Sequence, residues 1–220
     1  MTSIRHTFEK QLKELQEDVA RMGALAADAV RTAIQALVQR DMAIAEKVIE
    51  IENKIDDLNM AIESRCMELL ARQQPMAKDL RTIASVLRMI TDIERIGDYS
   101  VDIATQAKIL MEKPLFKPLV DIPRMAEMVQ KMLQDSLKAF VHRDLALAKS
   151  AVEQDDEVDH IYRALHDELA DFIQKDPTLT FQAIRLLMIG AHLERIADHI
   201  TNIGERIFYI ETGLLKELHV

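Results

Sequence analysis

Tryptophan is absent from the chain, cysteine occurs once, glycine and proline five times each, and aromatic residues make up only 4%. Each scarcity excludes something. β-sheets favour β-branched and aromatic residues and reverse on glycine-rich turns, so a sandwich or barrel is disfavoured. The lone Cys66 leaves no intramolecular disulfide and no thiolate metal site. Its flanks, Glu63 to Leu70, read as amphipathic helix and mark it as a small core residue rather than a nucleophile. No apolar run approaches the ~20 residues of a membrane-spanning helix. The polar stretch Met1 to Lys10 lacks the apolar segment of a signal peptide, and the expected location is the cytoplasm. Glycine-rich phosphate loops, nucleophile elbows and HExxH motifs are all missing.

What is present is a helix-forming chain of 220 residues, 49% hydrophobic and 30% charged, with a net charge of −9. Ala, Leu, Met, Glu, Lys, Gln and Arg dominate. The hydrophobic share supports a real core. The acidic balance disfavours a nucleic-acid partner, which requires phosphate neutralisation, and a basic docking patch on anionic lipid. It suits a protein that concentrates carboxylates for cations.

Apolar residues recur at helical spacing. One seam runs from Phe8, Leu12, Leu15, Val19 and Met22 to Leu37; Asp41 then reads as an N-cap. A second runs Ile44, Val48, Ile51, Ile55, Leu58, Ile62 and Leu69. Pro75 is placed in the first turn of a third helix that carries Ile83, Leu87 and Ile90 to about Met111. The stretch from Lys113 to Pro123 holds three of the five prolines and breaks the pattern.

Beyond it the chain repeats itself. Arg40-Asp41-Met42-Ala43-Ile44-Ala45 matches Arg143-Asp144-Leu145-Ala146-Leu147-Ala148, and Glu94-Arg95-Ile96-Gly97-Asp98 matches Glu194-Arg195-Ile196-Ala197-Asp198. Glu52, Ile55 and Asp56 match Asp155, Val158 and Asp159, and Pro75 matches Pro177. The expected fold is all-α: six long helices forming two tandem three-helix bundles, 1–112 and 121–220, joined by the linker 113–120.

In each unit the third helix carries charge where its apolar stripe should continue. Glu94, Asp98 and Asp102 follow Ile90 at four-residue spacing, and the second helix adds Glu52 and Asp56. The other unit offers Asp155 and Asp159 against Glu194, Asp198 and Asn202. A carboxylate that faces a core is costly unless it is paired or holds a cation. With 37 acidic residues, roughly six acidic i,i+4 pairs arise by chance on helical spacing, so one pair means nothing. Matching pairs on both copies of a repeat mean more. Two readings stand: hard-cation sites for Mg²⁺, Ca²⁺, Mn²⁺ or iron, or salt-bridge networks in which Arg95, Arg195, Arg81, Arg88 and Arg185 neutralise the carboxylates.

Other candidates are weaker. Glu157 and His160 form a single E-x-x-H, whereas di-iron bundles use two copies. His142, His160, His166 and His199 read as surface histidines; His192 aligns with Asp92 and is at most an auxiliary ligand. The twelve methionines, including Met125, Met128 and Met132, read as core filler, with a methionine-rich partner groove as the other reading.

The segments Glu94-Arg95-Ile96-Gly97-Asp98-Tyr99-Ser100-Val101-Asp102-Ile103-Ala104 and Glu194-Arg195-Ile196-Ala197-Asp198-His199-Ile200-Thr201-Asn202-Ile203 resemble the paired signature of the PhoU family of phosphate-uptake regulators. Ile51 to Leu58, Asp79-Leu80-Arg81 and the opening Arg5-His6-Thr7-Phe8 are similar to that family as well. The resemblance implies two pseudo-twofold-related three-helix bundles with metal ions (Mg, Mn, Fe or Zn) at the motif pairs. By motif, the first site takes Glu52, Asp56, Glu94, Asp98 and Asp102, and the second Asp155, Asp159, Glu194 and Asp198. Asn202 stands where the first unit has Asp102, which weakens charge compensation there. It further implies a negative regulator of phosphate uptake and of the phosphate-starvation response, not an enzyme. Such a homodimeric adaptor would couple the ATPase subunit of a phosphate ABC transporter to a phosphate-sensing histidine kinase. It would sit at the inner membrane through its partners, without inserting. The competing expectation is a carboxylate-bridged metalloenzyme acting on phosphate esters or oxygen.

Overall fold

The computed structural model describes residues 2–216 and residue 218, with side chains from residue 6 onward. Met1, the side chain of Arg5, and Glu217, His219 and Val220 at the end of the expected second bundle lie outside the described residues. The rest forms α1 (Thr2–Gln39), α2 (Met42–Gln73), α3 (Ala77–Leu110), α4 (Asp121–His142), α5 (Leu145–Val152), α6 (Asp155–Lys175) and α7 (Thr180–Thr212), with a 3-10 turn at Pro177–Leu179. Among the described residues there is no strand, and no helix is long and apolar enough to cross a membrane.

The helix ends follow cap chemistry. Asp41 accepts from the Ala43 and Ile44 amides at 2.8 and 3.3 Å and starts α2; Asp144 accepts from the Leu147 amide at 3.0 Å and starts α5. The proline-rich segment separates α3 from α4, as expected. Pro75, however, lies before α3 rather than in its first turn, because Gln74 in the left-handed conformation ends α2 and the chain reverses through Gln74, Pro75 and Met76. Pro177 does open a helical turn, the short 3-10 segment.

α1, α2 and α3 pack together, as do α4, α5, α6 and α7; the two groups join through α3 on α7 and α1 on α4. Buried Leu15, Val19, Met22, Ile55, Ile93, Ile96, Met132, Leu193 and Ile203 belong to one continuous apolar cluster that crosses between them. Met125 and Met132 are core filler, but Met60 and Met67 on α2 are 62% and 57% exposed.

The counterpart of α2 in the second unit is in two pieces. α5 ends at Val152 and α6 starts at Asp155, although neither Gly nor Pro lies between. The cause is tertiary: α5 packs on α7 at Gly204, where a Cβ would collide with Val152 Cγ2, whereas the first unit has Ala104 at the matching place. With no side chain at Gly204, Val152 is buried against α7, whereas the matching Ile49 of the first unit is 43% exposed. Asp155, the first residue of α6, is carried into the interior at 2% exposure.

Candidate functional site

α2 and α3 run antiparallel, so Glu52 and Asp56, one turn apart on α2, meet Glu94 and Asp98, one turn apart on α3. Gly97 permits the approach: a Cβ there would stand 3.1 Å from Ile55 Cδ1 and 3.7 Å from Glu52 Cγ. Burial and then the negative charges of Asp56, Asp98 and Glu94 push the Glu52 carboxyl above its ordinary value. Glu94 is pushed up by burial and by Asp98 and Asp56, against the opposing pull of Arg95 and His199. In the second unit, Glu194 is pushed up by burial, Asp198, Asp159 and Asp155, opposed by Arg195. The repeat thus builds two matching sets of four carboxylates.

Two residues expected in these sets stand elsewhere. Each four-residue step turns a helix by about 400°, so two steps from Glu94 carry Asp102 about 80° around α3. Asp102 therefore faces α7, 4.0 Å from His192 Nδ1. Asn202 turns the same way on α7 and donates to Asp92 Oδ1 at 3.2 Å. His199 Nδ1 lies 2.9 Å from the same oxygen. Tyr99 is flanked by the rings of His192 and His199 at 5.6 and 5.7 Å, with the Arg195 guanidinium 5.9 Å above it. This polar seam between α3 and α7 was not anticipated from the sequence; the pairing of Asp92 with His192 across the repeat was its only trace. His199 belongs to it, whereas His142, His160 and His166 are exposed.

The arginines divide. Arg95 donates to Asp98 Oδ2 at 2.7 Å and approaches Glu94 at 3.8 Å. Arg163, which the sequence did not single out, donates to Asp159 Oδ2 at 2.7 Å. Arg81 instead donates to the Ile210 carbonyl, Arg185 to Gln106 Oε1, and Arg88 is exposed. Cys66 is fully buried, and burial pushes its thiol up to about 12, which makes it inert.

Among the described residues, no three Asp, Glu, His or Cys side chains close around a single point as they stand. The donor set nevertheless suits a hard cation: each set offers carboxylate oxygens alone, and burial first, then the neighbouring carboxylates, make its glutamates costly to ionise without a counter-charge.

Long antiparallel helices, an internal repeat and paired carboxylate sets on its third helices define a tandem helical-bundle protein of a particular kind. The PhoU domain model matches the chain twice, over residues 19–107 and 122–207, and the chain belongs to the PhoU family. It is 39% identical over 212 residues to a phosphate-specific transport system accessory protein PhoU homolog of Aquifex aeolicus, covering 96% of each chain. It is 36% identical over 216 residues to the homolog of the same description from Clostridium acetobutylicum, covering 98% of this chain and 99% of that one. The crystal structure of PhoU from Pseudomonas aeruginosa superposes with a TM-score of 0.90 at 34% identity, covering 94% of this chain and 100% of that one.

Proposed function

We propose that this chain is a regulator of phosphate uptake that works by binding, not by catalysis. The observation that carries this reading is that relatives matched over nearly their whole length are named accessory proteins of the phosphate-specific transport system. In this reading it restrains the phosphate ABC transporter, through its ATPase subunit, and a phosphate-sensing histidine kinase when phosphate is plentiful. It acts as a homodimeric adaptor held at the inner membrane face by those partners. Regulation then rests on different affinities for the two states of each partner.

The carboxylate sets have a supporting part. Glu52, Asp56, Glu94 and Asp98 would hold one cation and Asp155, Asp159, Glu194 and Asp198 another, each relieving the repulsion inside its set. Such ions would stabilise the fold by mass action. The Asp98→Asn, Asp198→Asn double variant is then expected to lose the rise in melting temperature that divalent cations give the parent; a rise that persists would remove the assignment. The regulatory reading is tested by mild crosslinking in phosphate-replete cells that carry the tagged protein. Enrichment of the transporter ATPase or the kinase is expected, and reproducible absence of both would overturn it.

A further inference from the structure

We propose that the groove between α2 and α3 is a docking site for a basic amphipathic helical segment of a partner protein. This deepens the adaptor reading and rests on it for the partner's existence. The groove opens beside Asn59, Glu63 and Met67 on α2 and Leu87, Arg88, Ile90 and Thr91 on α3, around a cavity of about 340 Å³. Ile49, Met60 and Met67 recur along one stripe of α2, since steps of 11 and 7 residues each return within about 20° of the same direction. They are 43%, 62% and 57% exposed. From Ile49 to Met67 the stripe runs about 27 Å, the length of a helical peptide of about 18 residues. Unbranched methionine side chains repack around varied apolar partners.

The repeat supplies an internal control. Where α2 has Met60 and Met67, α6 has Arg163 and Ala170 at matching positions, and where α2 exposes Ile49 the second unit buries Val152. The apolar stripe is therefore not something the bundle needs in order to fold. Charge selects the occupant. Asp56 and Glu52 lie one and two turns from Met60 on α2, Glu94 and Asp98 about one and two turns from Thr91 on α3, and Glu63 is exposed between Met60 and Met67. Arg95 answers Asp98 and Glu94, and Arg88 lines the cavity beside Glu63, so the carboxylates along the groove still outnumber its two arginines. A segment with an apolar face for Met60, Met67 and Leu87 and lysine or arginine at one end fits both halves. Because the same carboxylates would serve a metal or the partner's cation, a divalent ion and the segment compete.

The test uses the full chain and a labelled helical peptide of about 18 residues built from Leu and Lys at amphipathic spacing, followed by anisotropy. The Met60→Gln, Met67→Gln double variant keeps the net charge and alters only exposed side chains. Its affinity is expected to fall at least tenfold, while the Ala170→Gln variant, at the position matching Met67, binds within threefold of the parent and MnCl₂ weakens binding to the parent. Equal binding by the methionine variant, or equal binding of a Leu–Glu peptide, would overturn the proposal. So would a concentration-dependent dimer abolished by the same variant, which would assign the groove to a second copy of the chain. In cells, equal capture of the transporter ATPase or kinase by parent and methionine variant would remove the groove and leave the adaptor reading. Capture of neither by the parent would remove the adaptor reading instead.

Discussion

Glu52, Glu94 and Glu194 take up protons above the ordinary glutamate value of 4.5, chiefly through burial and then through neighbouring carboxylates. The unfolded chain ionises first as pH rises, so each contributes stability that is present below 4.5 and is lost as pH climbs through its raised value. In chelator, lowering the pH from about 7 towards 5 is therefore expected to raise the melting temperature. The triple variant Glu52→Gln, Glu94→Gln, Glu194→Gln should lack that component, and an identical pH slope in both proteins would refute the assignment. Backbone strain gives a second contrast at this scale. Gln74 and Arg40 both end helices at positive φ, 45° and 57°. Arg40 compensates by donating to the Met111 and Lys113 carbonyls at 2.7 and 2.9 Å, which caps the end of α3. Gln74→Gly is expected to stabilise by about 1 kcal/mol in denaturant titration, and Arg40→Gly to destabilise despite the same relief.

Elements were legible in the sequence where their cause is local. Asp41 shows as a cap because capping needs only the next three residues, and the linker shows because proline removes donors; Asp144, noted only as the repeat's match to Asp41, caps in the same way. The break between α5 and α6 left no such mark, since nothing in Glu153-Gln154 forbids a helix. It arises from Gly204, some 50 residues away on α7. The carboxylate sets were half legible: four-residue spacing places Glu94 and Asp98 side by side on α3, as they stand, but the drift of that spacing around the helix sends Asp102 and Asn202 to the seam. Which faces of α3 and α7 meet is a tertiary matter that no single helix records. Gly204→Ala tests the account of the break. The added methyl collides with Val152 and pushes α5 outward, at an expected cost of about 1–3 kcal/mol. Hydrogen exchange should quicken across 145–152 and remain unchanged in α2; unaltered exchange in α5 would mean that Gly204 is not what lets it lean in.

The sequence repeat suggests two bundles that were once alike, yet the packing binds them into one unit. The apolar cluster runs without interruption from Leu15 in α1 to Ile203 in α7, and the junction is made by α3 on α7 and α1 on α4. Gly23 on α1 lies so close to Leu137 on α4 that a Cβ would stand 2.5 Å from Leu137 Cδ1, a contact made between the halves rather than within one. The linker is anchored as well: Lys117, 9% exposed, is paired with Glu168 on α6 and lies 3.6 Å from Asp121, while Gln182 donates to the Pro114 carbonyl at 2.9 Å. Separating the halves would expose the α1–α4 and α3–α7 faces to water, at about 25 cal/mol for each Å² of apolar surface. Neither half retains a partner for that surface. Calorimetry of the chelated protein is therefore expected to give a single transition with equal calorimetric and van't Hoff enthalpies. Two resolved transitions, with one half melting while the other keeps its helices, would show that the repeat still folds as two independent bundles joined by a strap.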